Sequence, residues 1–276
     1  MDNLLMMKKR PLIISLAAVA VLAALFFLRI PIKEKIRSIQ MPPLPQPQRA
    51  EDFAMPPAPP VSPVVAKPTP VAPLPPEKTF VGTSTADRLP GSINLDVPFA
   101  SQAPLGDWGM PYQEACEEAA IIMAHYYYIG RKLDVNIMND EILKLVDWQN
   151  KTFGYYKDTT AEEIARILRE YFGHKNVKVK YDITAEDIKK AVAQGKPVIV
   201  PAAGRVLPNP YFKQPGPLYH AVVVKGYTQG KFITNDPGTR MGKDFLYTEK
   251  ALMDAIHDWN AADIFKGKKA MIVVGV

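Results

Sequence analysis

One cysteine has the position that a catalytic nucleophile would need. Cys116 is the only cysteine among the 276 residues, so it has no thiol partner in its own chain. It lies near the start of an apolar segment, Glu114 to Ile129, that we predict to be a buried helix. Unpaired N–H groups and the positive dipole end at a helix start favour a thiolate, although a lone cysteine is often only a small buried apolar residue. Glu114, Glu117 and Glu118 oppose the thiolate charge unless they are paired or point elsewhere.

A thiolate nucleophile also needs a general base, and the base needs an orienting partner. Of the four histidines, His125 is too far along the same predicted helix, and His174 and His257 fit surface or structural positions. His220 lies early in an apolar predicted strand, and Asp236 ends the next predicted strand. A short turn between these strands would bring both residues to the same end of a hairpin. Asp236 alone also fits a turn residue before Pro-Gly, so the pairing is what suggests a base and its orienter.

Four short segments of the chain resemble a known family. From about residue 93 to 276, the sequence is similar to the papain-like cysteine peptidases related to bacteriocin-leader (double-glycine) processing peptidases. Cysteine, histidine and aspartate follow one another in the order found in that family. The segments that carry the likeness are DVPFASQ at 96–102, ACEEAA at 115–120, HAVVVKGY at 220–227 and NDPGTR at 235–240.

The resemblance implies a mechanism of acyl transfer on a peptide or protein substrate, without a cofactor. It implies Cys116 as nucleophile, His220 as general base and acid, and Asp236 as orienter. Gln102 matches the glutamine that forms the oxyanion hole in the family, and Gln113 is a rival because it lies closer to Cys116 in the chain. The chain lacks the His-x-x-x-His and HExxH spacings of metal sites, so we predict no catalytic metal.

Other classes of protein remain open from the sequence. A non-catalytic peptide-binding domain of the same fold is favoured if Glu117, which replaces a glycine common in relatives, suppresses the thiolate together with Glu118. A cell-wall amidase would use similar chemistry, but its relatives usually have a second histidine where Asp236 stands. The loop Gly204 to Pro217 and Trp108 fit either the walls of a cleft or ordinary surface and packing positions.

The predicted elements give helices first and strands second, which indicates an α+β fold. We predict a papain-like arrangement, with a helical N-terminal part packed on a mostly antiparallel sheet. Capping-box spacings at Thr160 and Thr184 mark two helix starts. The predicted helices are Glu114–Ile129, Asn136–Gln149, Thr160–Gly173, Thr184–Gly195 and about Thr248–Trp259. The predicted strands are Asn94–Phe99, Pro197–Ala202, Leu218–Tyr227, Lys231–Asn235 and Ala270–Val276.

The N-terminal third has the composition of an anchor and a linker. Leu12 to Leu28 is apolar except for Ser15, and no small-residue cleavage site follows it. We therefore predict a cytoplasmic N-terminus at residues 1–10, a transmembrane signal anchor at 11–28, a Pro-rich disordered stalk at 29–90 and the peptidase domain at 91–276. This organisation predicts a single-pass protein of the cell membrane with an extracytoplasmic catalytic domain. No oligomeric state is predicted.

The charge distribution argues against a nucleic-acid partner. The whole chain has a formal net charge of +6, but residues 91–276 contain 23 basic and 22 acidic side chains, a difference of +1. A nearly neutral domain does not provide the basic surface that binds phosphates.

Overall fold

A computed structural model describes residues 44–53 and 89–275. The chain divides into two units, Met1–Leu44 and Pro45–Val276, and all of the first unit except Leu44 lies outside the described residues. The predicted N-terminus at 1–10 and the predicted anchor at 11–28 therefore also lie outside them. Within the described ranges, no helix has the length and apolar character needed to cross a bilayer.

Five α-helices lie within the described ranges, and side-chain caps define the starts of most of them. Thr160 and Thr184 each form the predicted capping box, with Glu163 and Asp187 respectively. Asp134 caps another helix by accepting from two backbone N–H groups. The helices are α1 (Cys116–Tyr128), α2 (Val135–Thr152), α3 (Ala161–Glu170), α4 (Ala185–Ala193) and α5 (Glu249–Ala255).

Eight strands form one mixed sheet, so the predicted α+β class is confirmed. The order is β1-β2-β5-β4-β8-β3, with β6 paired to β5 and β7 paired to β6. Every pair is antiparallel except β1–β2. The strands are β1 (Pro47–Gln48), β2 (Ser92–Leu95), β3 (Val177–Tyr181), β4 (Val198–Ala203), β5 (Tyr219–Thr228), β6 (Lys231–Asn235), β7 (Phe245–Thr248) and β8 (Ala270–Val274).

The core lies between α1 and the middle of the sheet. All ten residues of β5 are buried, and α1 packs against this strand with the apolar body that the sequence predicts. A two-residue turn joins β5 to β6, and its residues Gln229 and Gly230 have φ of 47° and 72°. Positive φ at both positions matches the right-handed twist of a hairpin, so the hairpin expected here is present.

A segment of the predicted stalk lies on the sheet, which differs from the expectation of disorder over 29–90. This docked segment, Pro45–Phe53, contributes β1, and its Gln48 carbonyl accepts a hydrogen bond from the Asp96 N–H at 2.6 Å. The Phe53 ring covers Gly195 so closely that a Cβ there would lie 2.2 Å from the ring. The edge of β2 supplies unpaired backbone groups, and the Phe53 ring supplies apolar surface that packs over Gly195.

Candidate active site

The thiol of Cys116 lies at the N-terminus of α1 and faces β5. Cys116 is the first residue of the helix and is 6% exposed. Its Sγ donates to Oε2 of Glu117 at 2.9 Å. The backbone N–H of Ala221 lies near the same sulfur and acts to lower its pKa. Since Ala221 follows His220 on β5, the sulfur lies against the residue next to this histidine.

The surroundings of Cys116 favour the protonated thiol in this structure. Burial raises the pKa of Cys116 well above its ordinary value, and the charge and hydrogen bond of Glu117 raise it further, as does Glu118. The Ala221 N–H lowers it by a smaller amount. The helix start favours a thiolate, but burial of the sulfur and the two buried carboxyls beside it act in the opposite direction.

His220 and Asp236 lie together at the end of the β5–β6 hairpin. Asp236 follows the last residue of β6, and its Oδ1 is 2.8 Å from Nε2 of His220. The two side chains are 1% and 0% exposed. The N–H of Gly238 also donates to Oδ1, at 3.0 Å. A side chain at Gly238 would collide with the imidazole, because a Cβ there would lie 2.8 Å from Cε1 of His220.

Two residues that the sequence did not single out complete the surroundings of Asp236. Its Oδ2 accepts from Nδ2 of Asn209 at 3.0 Å and from the Tyr247 hydroxyl at 2.6 Å. Burial alone would raise the pKa of Asp236, but the charge of His220 and hydrogen bonds from His220, Tyr247 and Asn209 outweigh it and lower the pKa. Asp236 is therefore a stable buried carboxylate.

The loop at 204–217, one candidate wall of the cleft, contacts the histidine. Asn209 is in this loop between Pro208 and Pro210, and Phe212 packs edge-on against His220 with ring centroids 5.3 Å apart. Asn209 carried a weak sequence signal, a polar residue within an apolar proline-rich loop. Tyr247 carried none, because the strand that holds it, β7, was not predicted.

Gln102 connects the two halves of the site. Its Nε2 donates to the carbonyls of Tyr112 at 2.9 Å and Gln113 at 3.1 Å, in the turn just before Cys116. Its backbone N–H donates to the Pro237 carbonyl at 3.0 Å, just after Asp236. The rival Gln113 has an exposed side chain, 3.5 Å from Glu114. Of the two glutamines, Gln102 is the buried one at the site.

Glu117 and Glu118 are both buried beside the thiol. Oε1 of Glu117 accepts from the Thr159 N–H at 3.0 Å, and Oε1 of Glu118 accepts from Nε2 of Gln149. Burial raises the pKa of Glu117 to about 7, and burial and then the charge of Glu117 raise the pKa of Glu118 well above its ordinary value. Oε2 of Glu118 and Oε1 of Gln149 have no hydrogen-bond partner among the described residues.

The remaining candidates from the sequence are three histidines and Trp108, and their surroundings are those of ordinary structural or surface residues. Nδ1 of His125 is 3.0 Å from Nε2 of His174, and Nδ1 of His257 is 2.9 Å from the Gly267 carbonyl oxygen, which agrees with structural roles for all three. The Trp108 side chain is exposed. Within residues 44–53 and 89–275, no group of three or more histidine, cysteine or acidic side chains is arranged to hold a metal ion.

Comparison with known proteins agrees with the family suggested by the sequence. The model of the Peptidase_C39 like family matches residues 94–263, which is more than half of the chain. A solved structure of a candidate C39-like peptidase from Bacillus anthracis is similar, with 18% identity and a TM-score of 0.45, covering 66% of this chain and 95% of that one. No curated protein matches the chain. The chain therefore belongs to the Peptidase_C39-like family.

Proposed function

We propose that this protein is a cysteine peptidase that hydrolyses peptide bonds through Cys116, His220 and Asp236. Membership of a peptidase family supports the general activity. The observation that carries the proposal is the 2.8 Å hydrogen bond between His220 and the buried Asp236, since His220 is on β5, the strand against which the helix of Cys116 packs. A nucleophile, a base and an orienter thus lie on adjoining elements.

The ring orientation assigns the proton path in this proposal. Nε2 of His220 is bonded to Asp236, so a proton exchanged with the thiol or the substrate passes through Nδ1. His220 takes the proton of Cys116, the sulfur bonds to the peptide carbonyl carbon, and the carbonyl π electrons move to oxygen. When the tetrahedral intermediate collapses, the imidazolium gives its proton to the leaving amine, and water then hydrolyses the thioester.

Gln102 and the backbone N–H of Cys116 are the proposed donors to the oxyanion. The N–H at the first position of a helix has no partner within the helix. In the resting structure, Nε2 of Gln102 donates to the carbonyls of Tyr112 and Gln113. Donation by Gln102 therefore requires that one of these bonds be exchanged for the oxyanion during the reaction.

Peptide cleavage by the full-length protein tests the proposal. A mixture of defined peptides should be cut by the wild type and left intact by Cys116→Ala, as read by mass spectrometry. Equal cleavage by both proteins would trace the activity to a contaminant and contradict the assignment of the nucleophile. The cleaved positions would define the specificity.

A non-catalytic peptide-binding domain is the second candidate, and the raised pKa of Cys116 favours it. A domain that only binds peptides needs a cleft for the peptide but does not need a reactive thiol. In that case peptides should bind saturably to the wild type and to Cys116→Ala with the same affinity, and neither protein should cut them.

We also propose that the protein is anchored in the membrane by residues 11–28, with the domain outside the cell. The apolar run from Leu12 to Leu28 and the proline-rich stretch after it support this arrangement. Protease added to intact cells should then release a fragment of domain size. Full protection of the domain would contradict the orientation.

A further inference from the structure

The carboxyl of Glu117 is fixed between the thiol and the buried backbone of Thr159. One oxygen, Oε2, accepts from Sγ of Cys116 at 2.9 Å, and the other accepts from the Thr159 N–H at 3.0 Å. The Thr159 carbonyl in turn accepts from the Tyr219 hydroxyl at 2.8 Å, and Tyr219 precedes His220 on β5. Glu117 is 1% exposed, so its carboxyl cannot turn toward solvent without breaking buried hydrogen bonds.

The effect of Glu117 on the thiol depends on whether its carboxyl carries a proton. An ionised carboxylate can only accept hydrogen bonds, so it holds Cys116 as a thiol and opposes a second negative charge 2.9 Å away. A protonated carboxyl has an O–H that can donate to a thiolate. The same contact therefore suppresses the nucleophile in one state and stabilises it in the other.

Titratable groups on three packed elements face this carboxyl. Cys116 and Glu118 are on its own helix, Asp158 and Tyr156 are on the loop before α3, and Tyr219 is on β5. None of these side chains carries a positive charge. Burial raises the pKa of Glu117 to about 7, against hydrogen bonds from Cys116, its own N–H and the Thr159 N–H that lower it, and Asp158 adds to the rise.

We propose that Glu117 is a catalytic residue that must be protonated for Cys116 to react as a thiolate, so that the enzyme is active at acid to neutral pH. This inference deepens the proposed function and rests on it. In the active state, Sγ gives its proton to Nδ1 of His220, and the O–H of Glu117 donates to the thiolate. The thiolate then attacks, the imidazolium proton leaves with the amine, and Glu117 keeps its own proton throughout.

The direction of the pH dependence follows from this arrangement. An acid with a raised pKa is protonated below that pKa, so kcat/KM of the wild type should fall as the pH rises through about 7. Glu117→Gln imitates the protonated acid, since its amide can still accept from Thr159 and donate to sulfur, but it cannot ionise. Its kcat/KM should persist to higher pH.

Alkylation of Cys116 by iodoacetamide tests the inference without requiring turnover. The rate is measured from pH 5.5 to 9.5 in the full-length wild type, in Glu117→Gln and in Glu114→Gln, with kcat/KM measured alongside. At pH 8, Glu117→Gln should react about tenfold faster than the wild type or more, the change expected for one pKa unit. This ratio should shrink as the pH is lowered through 7. Glu114→Gln removes a nearby carboxylate that does not contact the thiol, and its profile should follow the wild type.

The outcomes separate the inference from the proposed peptidase. A shifted alkylation profile supports the role of Glu117, even if neither protein cuts peptides, which would overturn only the peptidase. Coincident profiles of the wild type and Glu117→Gln overturn the role of Glu117, even if both proteins cut peptides. The wild-type profile alone gives a second test if the variant does not fold: the alkylation rate should fall as the pH rises through about 7, and a rate that only rises from pH 5.5 to 9.5 would contradict the role of Glu117.

Discussion

Two sides of the candidate site contain buried carboxyls with opposite ionisation behaviour. On the histidine side, formed by His220 and Asp236, the carboxylate accepts four hydrogen bonds and its pKa is lowered. On the cysteine side, formed by Cys116, Glu117 and Glu118, each carboxyl has fewer donors and its pKa is raised. The carboxyls on both sides are buried. The number of hydrogen-bond donors, and the presence of His220, therefore distinguish the two kinds of buried carboxyl.

Loss of the charge on the histidine side should have the largest effect. Asp236→Asn keeps the shape but removes the negative charge that orients the imidazole and stabilises the imidazolium, so kcat should fall about 10²- to 10⁴-fold. Steady-state kinetics on a cleaved peptide would measure this. Asp254→Asn, which changes an exposed partner of Lys250, is the matched control and should behave as wild type. Normal turnover in Asp236→Asn would return Asp236 to the role of a turn residue.

Removal of Gln102, the donor that connects the two sides, should have the next largest effect on kcat. Gln102→Ala removes a proposed oxyanion donor, so kcat should fall roughly a hundredfold while KM and Cys116 alkylation change little. Gln113→Ala removes an exposed side chain and should have near-normal kinetics. If the two variants exchange phenotypes, Gln113 is the donor. A fall in melting temperature for Gln102→Ala without a change in kcat would instead make Gln102 a support of the turn before Cys116.

A smaller effect on kcat is expected when Asp236 loses one of its hydrogen-bond donors, as the carboxyls of the cysteine side have fewer donors. Tyr247→Phe removes one donor from Asp236, so its pKa should rise and kcat should fall up to about tenfold. A carboxyl whose pKa is lower in the folded than in the unfolded protein stabilises the fold at pH values above its unfolded pKa, about 3.9. This stabilisation is lost as the pH falls through the pKa of the folded protein. The acid unfolding midpoint of Tyr247→Phe should therefore move to higher pH. Tyr126→Phe, at a tyrosine whose hydroxyl donates to no carboxylate among the described residues, should not move it.

The smallest effect should come from replacing the buried acid Glu118 by an amide. A carboxyl whose pKa is higher in the folded than in the unfolded protein stabilises the fold at pH values below its unfolded pKa, about 4.3. This stabilisation is lost as the pH rises through the pKa of the folded protein. Glu118→Gln cannot ionise, and its amide can pair with Gln149, so its free energy of unfolding should exceed that of the wild type by about 1 kcal/mol at pH 9. Urea unfolding at pH 5 and 9 measures this difference. Glu170→Gln, at the helix surface, should show no such gain.

Strong local signals predicted much of the fold. The capping boxes at Thr160 and Thr184 and the apolar run of β5 identify elements from a few neighbouring residues, and all three are present. β3 was missed although its sequence VKVKY alternates as a half-buried strand does, whereas β7 mixes polarity and its neighbouring strand decides its state. The docked segment was missed because composition around Phe53 indicates a linker, and its stability comes from a distant strand.

The site was predictable to a similar degree. His220 and Asp236 follow from a hairpin, a local motif that fixes which residues meet. Asn209 and Tyr247 reach Asp236 from separate parts of the chain, and no spacing rule connects them. The behaviour of Cys116 could not be predicted either, because the sequence does not reveal whether Glu117 and Glu118 point toward or away from the sulfur.

On the proposed anchoring, the docked segment would shorten the chain that links the domain to the membrane. Between the anchor and residue 91 lie residues 29–90, which is 62 residues and at most about 210 Å of extended chain. With Pro45–Phe53 held on β2, only residues 29–44 remain as tether, which is 16 residues and at most about 55 Å. The domain would then act only on substrates within about 55 Å of the bilayer. Phe53→Ala, by releasing the segment, would increase this distance about fourfold.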